Sequence, residues 1–397
     1  MKKVMRRLFI SAATVAITMT PLYSFSHEQI AFAQKDEGNE QSSIDNGFAR
    51  TSKLIDIFDI KTNSKITYVT GGTDLKISKI VGDKVYVTFN GVTGYVNKAD
   101  VTIFPSTSTG ATSYYTVKSG KLIYHSYDPT SQSYYEYTVG YAPKHLNEGM
   151  RYDAFDKTAI SGQDSYQYFQ YMPLRIRSSY TGDEIDRFIA KQRPDSPLIG
   201  TGKYFVAAAN KYNLNVAYLV AHAMLESGWG TSKIARDKKN LFGFKAVDSN
   251  PYDGAASFAT WEEGIDYCAQ YIDQRYLTPG PWTYHGAIIG DKAKGMNVMY
   301  SSDENWGQQI ASIMYRLDTL YSSRDLRKYQ LAVIPRGTPL AASIGGQGAW
   351  VTTEPTIIAL KKAIVKQPGV YYEVFSDNRS YSSVYVDATR VGIITAY

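Results

Sequence analysis

Apolar residues recur at helical spacing through the middle of the chain. Ile185, Phe188 and Ile189 lie three and four residues apart and predict a short helix. The same spacing recurs in four longer stretches, which are residues 200–212, 215–227, 261–277 and 305–321. Residues 240–260 are rich in glycine, aromatic and turn residues, which predicts a hairpin. Residues 151–326 are therefore predicted to form an α-helical domain with a small β lobe.

On both sides of the helical region the sequence has short β-rich runs and lacks the helical spacing of apolar residues. The runs, which are separated by turn residues such as Gly-Gly and Asn-Gly, are residues 66–70, 84–89, 94–96, 370–374 and 383–386. This pattern predicts two small β-barrels, over residues 48–104 and 332–397. The chain is thus predicted to be a multidomain α+β protein in which β modules flank a helical domain.

Residues 113–150 form a third β-rich region, and it is crowded with tyrosine. Tyr114, Tyr124, Tyr135 and Tyr137 are among eight tyrosines there. Alternate residues of a strand share one face of a sheet. The tyrosines could therefore form a platform on which sugar rings stack, or they could be the core and edge of an ordinary sheet, which β-propensity alone favours.

The N-terminus has the pattern of an export signal. Four basic residues precede an apolar run at residues 8–19, and Ala31-Phe32-Ala33 fits a cleavage site. We expect residues 1–33 to be a signal peptide and the polar residues 34–47 to be a linker. We expect a secreted, wall-associated protein, and the single cysteine, Cys268, favours a Gram-positive source because it permits no intrachain disulfide.

Charge and histidine spacing exclude several classes of function. The net charge is +6, and half of this excess lies in the signal, so the sequence does not indicate nucleic-acid binding. Mild positive charge suits an anionic wall polymer. The five histidines form no metal-binding motif, and no phosphate loop or dinucleotide fingerprint is present, so we expect no metal and no cofactor. We also expect a monomer.

One acidic residue stands out at the end of a predicted helix. Glu226 lies seven residues after Leu219 and three after Ala223, on the apolar side, and Ser227-Gly228 ends the helix. Partial desolvation and the negative end of the helix dipole both favour the protonated carboxyl group. A protonated carboxyl group is what a glycosidase uses to protonate a leaving oxygen. The same pattern also fits a structural glutamate held by an arginine or by backbone amides.

Four motifs in order resemble bacterial peptidoglycan N-acetylglucosaminidases of glycoside hydrolase family 73. They are residues 226–232 (ESGWGTS), 240–245 (NLFGFK), 258–264 (FATWEEG) and 296–303 (MNVMYSSD). The likeness covers about residues 170–325. Residues 113–150 resemble a segment that precedes this domain in some autolysins, and residues 48–104 resemble an SH3-like wall-targeting module. The C-terminal module is given the same SH3-like label.

This resemblance implies a lysozyme-like fold and a set of site residues. Glu226 would be the general acid, and Tyr300 matches a tyrosine placed near the reacting sugar. The implied substrate-binding residues are Trp229, Phe242, Asn240 and Trp261. Asp253 and Glu263 are candidates for a second carboxylate, with Asp248 a weaker one. Glu263 has a simpler explanation, because an acid in the first turn of a helix is favoured by the helix dipole.

The implied activity is cleavage of the β-1,4 bond after N-acetylglucosamine in peptidoglycan glycan strands. Two mechanisms stay open, inversion with a second carboxylate or retention by the substrate's own 2-acetamido group. The single unambiguous acid slightly favours the second. Rival functions are a lytic transglycosylase or muramidase, and a wall-binding protein without activity. We expect the flanking β modules to hold the protein on the wall without touching the chemistry.

Overall fold

The computed structural model describes residues 47–108, 110–244, 251–367 and 369–395. The predicted signal peptide, nearly all of the predicted linker and Asp248 lie outside these residues. Within them, no helix is both long and apolar enough to cross a membrane. The described chain contains two seven-stranded sheets, a four-stranded sheet, a two-stranded hairpin and a set of helices. The overall class is mixed α and β, as predicted.

The first β unit is an antiparallel sheet that contains every strand predicted for it. Its strands are β1 (Phe48–Thr51), β2 (Ile55–Phe58), β3 (Lys65–Val69), β4 (Asp74–Val81), β5 (Lys84–Phe89), β6 (Val92–Asn97) and β7 (Val101–Phe104). The strand order is β3-β2-β6-β5-β4-β1-β7. Ile57, Leu75, Val85 and Val96 are buried in its core. Within the described residues no ladder joins β3 to β7, so the sheet is open at its ends.

The tyrosine-rich region forms the four-stranded sheet and extends slightly beyond residue 150. Its strands are β8 (Tyr114–Lys118), β9 (Lys121–Asp128), β10 (Ser133–Tyr141) and β11 (Arg151–Asp153), and a hairpin of β12 (Ala159–Ile160) and β13 (Gln163–Asp164) follows. Tyr115 and Tyr124 are buried. The ring of Tyr114 stacks on His125 at 4.3 Å between centroids and lies 3.9 Å from the Arg151 guanidinium. These tyrosines serve the protein's own packing.

The helical region carries all the helices that the apolar spacing predicts. They run in the order α1 (Tyr168–Tyr171), α2 (Gly182–Gln192), α3 (Gly202–Tyr212), α4 (Val216–Ser227), α5 (Lys233–Lys238), α6 (Pro251–Gly254), α7 (Trp261–Ile272) and α8 (Trp306–Leu320). A π-helical turn, Asp273–Leu277, continues α7. The short helices α1, α5 and α6 escape the pattern because each has too few residues to show a period.

The predicted hairpin at residues 240–260 is not what the described part of this stretch contains. Residues 251–254 form helix α6, and the rest is turn and loop. The two ends of the loop are nevertheless joined, because the Ala256 amide donates to the Phe244 carbonyl at 2.8 Å. The Asn240 side-chain amide also donates to the carbonyls of Phe244 and Ala256, both at 3.0 Å. A side chain therefore closes this loop in place of a strand ladder.

The last β unit repeats the strand order of the first. Its strands are β14 (Gln330–Ile334), β15 (Pro339–Ala341), β16 (Gly348–Val351), β17 (Thr356–Lys366), β18 (Gly369–Val374), β19 (Val384–Asp387) and β20 (Gly392–Ile393). The order β16-β15-β19-β18-β17-β14-β20 matches the first unit strand for strand. A 3-10 turn precedes the last strand in both units, at Lys98–Asp100 and Ala388–Arg390. The chain thus uses one topology twice.

Candidate active site

Helix α4 runs through the core of the helical region and ends at the site. Ten of its twelve residues are buried. The Asn215 side chain caps its start by accepting the Tyr218 amide at 3.0 Å. Gly228 ends it in the left-handed conformation, at φ 57°, which glycine adopts without strain. These two caps place Glu226 in the last turn of a fixed helix.

The Glu226 carboxyl group is almost enclosed. Its side chain is only 6% exposed. The Trp306 indole Nε1 donates a hydrogen bond to Glu226 Oε1 at 2.8 Å. His222, one turn earlier on α4, places its Nε2 3.4 Å from the same oxygen. No arginine or backbone amide among the described residues is hydrogen-bonded to this carboxyl group, so the structural role considered from the sequence lacks its expected partners.

His222 is fully buried and has a partner at each ring nitrogen. Nδ1 lies 3.0 Å from the Tyr218 hydroxyl, and Nε2 lies 2.9 Å from the Tyr300 hydroxyl. The Tyr218 hydroxyl also donates to the Met296 sulfur at 3.1 Å. Since a hydroxyl has one proton, donation to this sulfur corresponds to the tautomer that carries the imidazole proton on Nδ1. In that tautomer Nε2 is an acceptor for Tyr300.

Tyr300 reaches this cluster from a distant part of the chain. Burial raises the pKa of its hydroxyl well above the ordinary value, and the negative charge of Glu226 raises it further. The phenol therefore keeps its proton and can donate to His222. Its ring packs 4.9 Å from the His222 ring and 4.8 Å from the Trp306 ring. Glu226, His222, Tyr300 and Trp306 thus form one contact cluster.

Buried donors hold the segment that carries Tyr300. Lys292 is fully buried, and its ammonium donates to the carbonyls of Asn297 and Ser301, both at 2.6 Å. Burial lowers the pKa of Lys292 to about 7. Strand β3 of the first β unit adds the Thr67 hydroxyl, which donates to the Val298 carbonyl at 2.8 Å. Two units of the protein therefore meet at the backbone around Tyr300.

The predicted groove aromatics lie at different distances from the cluster. Phe242 is buried, and its ring is 5.0 Å from that of His222. Trp229 is half-buried, packs 5.9 Å from Phe188 and adopts a positive φ of 62°, which is rare for a bulky residue. Trp261 starts α7, where the Lys239 ammonium lies 5.0 Å from its ring. The structure brings Phe242 to the cluster and gives the two tryptophans other neighbours.

The other predicted polar residues lie in loops and helix ends. Asn240 is buried and uses its side-chain oxygen to accept the amides of Phe242 and Phe244. The Glu263 carboxylate accepts the Ala259 amide at 2.8 Å, and its own amide donates to the Thr260 hydroxyl that caps α7. Asp253 is exposed on α6. The bonds of Asn240 and Glu263 organise the backbone around them, whereas the partners of the Glu226 carboxyl group come from α4 and α8.

Sequence reasoning missed Trp306. It lies 80 positions after Glu226 and belongs to none of the four motifs. In the sequence it is simply the first residue of a helix. No local pattern marks a contact between residues so far apart. The only available signal was that a tryptophan begins α8 close after Tyr300. In the part of the chain that the structure describes, no group of three acidic, cysteine or histidine side chains could hold a metal ion.

A family comparison matches the part of the chain that contains this cluster. Residues 202–319 match the glucosaminidase family model, described as mannosyl-glycoprotein endo-β-N-acetylglucosaminidase. The matched segment runs from α3 to the end of α8 and includes Glu226, Phe242, Tyr300 and Trp306. The resemblance inferred from the motifs is thereby confirmed for the helical region.

Several characterised relatives carry related names. A protein of Streptococcus pneumoniae, provisionally named an endo-β-N-acetylglucosaminidase, is 29% identical over 272 residues, which is 66% of this chain and 39% of that protein. A β-N-acetylglucosaminidase of Bacillus subtilis is 29% identical over 40% of this chain and 19% of its own length. A bifunctional autolysin of Staphylococcus aureus is 27% identical over 38% and 14%. The chain spans well under half the length of these relatives.

Solved structures with related names are also similar. Staphylococcus aureus autolysin E is 24% identical over 39% of this chain and 72% of its own, with a TM-score of 0.33. The structure of a major bifunctional autolysin is 28% identical over 41% and 70%, with a TM-score of 0.31.

Proposed function

Because residues 202–319 carry a domain of the glucosaminidase family, we propose that the protein is an endo-β-N-acetylglucosaminidase that cleaves peptidoglycan glycan strands. The bond cut is the β-1,4 bond that follows N-acetylglucosamine. The names of the pneumococcal, Bacillus and staphylococcal relatives support this assignment. The observation that carries it is the enclosed Glu226 carboxyl group, at the end of a rigid helix inside the matched segment.

Glu226 acts as the general acid in this proposal. Its carboxyl group protonates the glycosidic oxygen as the bond to the sugar breaks, which typically accelerates such a step about 10²–10⁴-fold. Trp306 and the buried rings around it exclude water from one side of the carboxyl group. Tyr300 is proposed to lie near the reacting sugar. Phe242, Trp229 and Trp261 are proposed to contact the glycan, with Asn240 shaping the loop that carries Phe242.

The nucleophile is proposed to be the substrate's own 2-acetamido group. Its carbonyl oxygen attacks the anomeric carbon as the glycosidic oxygen leaves with the proton from Glu226, and in the second step water opens the resulting ring with retention of configuration, returning a proton to Glu226. The position of Glu263 supports this choice, because its carboxylate already accepts the Ala259 amide in the loop before α7. Asp253, at an exposed position on α6, is the remaining candidate for an inverting base.

The flanking β units are proposed to be SH3-like modules that keep the protein on the cell wall after secretion. Their shared strand order and similar size support a common origin. The proposal places the mature chain, without residues 1–33, outside the cell as a monomer, with peptidoglycan and other anionic wall polymers as partners.

The test of the general acid is Glu226→Gln. Glutamine keeps the side-chain shape and can still accept the Trp306 hydrogen bond, but it has no acidic proton. Release of reducing ends from purified cell walls should fall about 10²–10⁴-fold, while glycan binding and the unfolding midpoint stay within error. Asp253→Asn and Glu263→Gln are the matched controls and should change the rate by less than about tenfold.

Two outcomes would revise this proposal. If Asp253→Asn or Glu263→Gln lowers the rate as much as Glu226→Gln does, the two-carboxylate inverting mechanism replaces substrate assistance. If Glu226→Gln turns over at a near-normal rate, Glu226 is not the general acid. A wild-type protein that leaves cell walls uncut in a zymogram would instead be a wall-binding protein.

A further inference from the structure

Besides excluding water, Trp306 makes a directed hydrogen bond to the Glu226 carboxyl group. Its ring is only 1% exposed, packed between those of His222 and Tyr300, at 5.1 and 4.8 Å. Its Nε1 points at a single atom, Oε1 of Glu226, at 2.8 Å. Helix α8 begins at Trp306, so the backbone that carries the indole is fixed as well. The contact therefore joins two rigid helices through one hydrogen bond.

The chemistry of the indole restricts the state of the carboxyl group. An indole N–H can only donate, so Oε1 must accept. In a protonated Glu226 this contact favours the proton on the other oxygen, Oε2, because a carbonyl oxygen accepts a hydrogen bond better than a hydroxyl oxygen does. His222 does not compete for this role, because its Nε2 accepts from Tyr300 when Nδ1 holds the imidazole proton. Among the described residues, Oε2 has no hydrogen-bond partner, which leaves it for the substrate.

We propose that Trp306 is a positioning residue that keeps the transferable proton of Glu226 on Oε2, facing the glycosidic oxygen. This inference rests on the proposed function of Glu226 as general acid. Trp306 itself touches neither the substrate nor the reacting atoms. It acts by preventing the carboxyl group from rotating and from placing its proton on the enclosed oxygen, where transfer to the substrate cannot occur.

The first test is Trp306→Phe, which removes the N–H and keeps an aromatic ring. The kcat on solubilised glycan strands should fall about 10²-fold, as for other small misplacements of a reacting group, and KM should change less than about twofold. Trp350→Phe is the matched control, because Trp350 packs in the core of the last β unit. It should leave both constants unchanged. An unchanged kcat in Trp306→Phe, or a loss confined to KM, would overturn the proposal.

A second test separates positioning from general structural support. The glutamine of Glu226→Gln has no acidic proton to place, so Trp306→Phe should cost no further activity in that background. The double variant should therefore match Glu226→Gln within about twofold, as a shared role predicts. A further loss equal to that of the single variant would mean that Trp306 acts independently of Glu226, which would overturn the proposal.

A second replacement at position 306 and a comparison between variants keep the Trp306→Phe result interpretable. If Trp306→Phe fails to fold, 3-benzothienylalanine at position 306 keeps the bicyclic shape and replaces the N–H by sulfur, and the same fall in kcat is expected. A normal kcat with this residue would overturn the proposal. If Glu226→Gln alone keeps normal activity, the assignment of the general acid fails. If Glu226→Gln is inactive and the indole variants are normal, only the role of Trp306 fails.

Discussion

The two seven-stranded units share a strand order but dock on the helical region in different ways. The first unit uses neutral donors, which are the Thr67 hydroxyl, the Tyr68 hydroxyl and the Thr70 amide, on the carbonyls of residues 298, 299 and 302. The last unit uses a charged side chain. Its Arg379 is bonded to Asp273 of the helical region at 2.7 Å, and Asp273 is also bonded to Arg175 of the helical region at 2.7 Å.

The apolar contacts of the two units with the helical region differ as well. The last unit contributes Leu331, Ile357, Ala359 and Ile394 to the main core of the helical region. The first unit keeps a separate core, against which Ala293 packs. One topology is thus a structural extension of the core at one end of the chain. At the other end its hydrogen bonds to the helical region go to the segment that carries Tyr300.

This difference changes what is expected of the first unit. A module that only holds the protein on the wall would leave the chemistry alone. Strand β3 and Thr70, the residue after it, instead bond to the backbone on both sides of Tyr300, together with Lys292. We therefore expect changes in β3 to affect hydrolysis of soluble glycans as well as of whole walls. Changes in the last unit should affect stability more than turnover.

The largest expected effect follows the loss of Asp273, which joins Arg379 of the last unit to the buried Arg175 of the helical region. Asp273→Asn leaves the buried Arg175 without its charge partner, and such a loss typically costs about 3–5 kcal/mol. Asp266→Asn on the same helix is the control. Its partner Lys211 is 59% exposed at the side chain, and exposed pairs contribute much less to stability than buried ones. Urea unfolding curves measure both, and equal losses would contradict a structural role for the Asp273 contact.

A smaller effect is expected from one hydroxyl in each β unit. Thr67 and Thr338 are both fully buried and both donate to a backbone carbonyl, that of Val298 and that of Pro335. Replacement of either by valine should cost about 1 kcal/mol of unfolding free energy. Only Thr67→Val should also lower kcat, by roughly 2–10-fold, because it loosens the backbone beside Tyr300. Equal kcat values for the two variants would remove the proposed difference between the units.

The smallest effect concerns the 3-10 turn that both units share. Asp387 caps its turn by accepting the Thr389 amide at 2.8 Å, whereas Asn97 at the equivalent place makes no such cap. Asp387→Ala should lower the unfolding temperature slightly more than Asn97→Ala does, because only Asp387 loses a capping hydrogen bond. Thermal unfolding of the two variants measures the difference. A larger loss in Asn97→Ala would show that the two turns are not equivalent.

Much of this fold is predictable from local pattern. The helices α2, α3, α4, α7 and α8 follow from apolar residues three and four apart, and the turns of the first β unit follow from Gly-Gly and Asn-Gly pairs. The loop at residues 240–260 is not predictable in this way. Its closure depends on the Asn240 side chain, which bonds to residues 4 and 16 positions away.

The candidate site likewise has a part that local sequence pattern predicts and a part that it does not. Glu226 is identifiable because its helix, its apolar face and its motif lie together in the sequence. The contacts that make its environment come from Trp306 and Tyr300, 80 and 74 positions later, and depend on the packing of α8 against α4. The repeated topology of the β units is equally hidden, because shared strand pairings need no shared residues.

The most direct test of the proposed activity is the chemistry of the new chain end. Purified peptidoglycan is digested with the wild-type protein and with Glu226→Gln, and the soluble fragments are reduced and analysed by mass spectrometry. Our account predicts reduced N-acetylglucosamine at the new ends in the wild-type digest and almost none in the variant digest. New ends that carry reduced muramic acid, or a 1,6-anhydro-muramic group, would contradict it and identify a muramidase or a lytic transglycosylase.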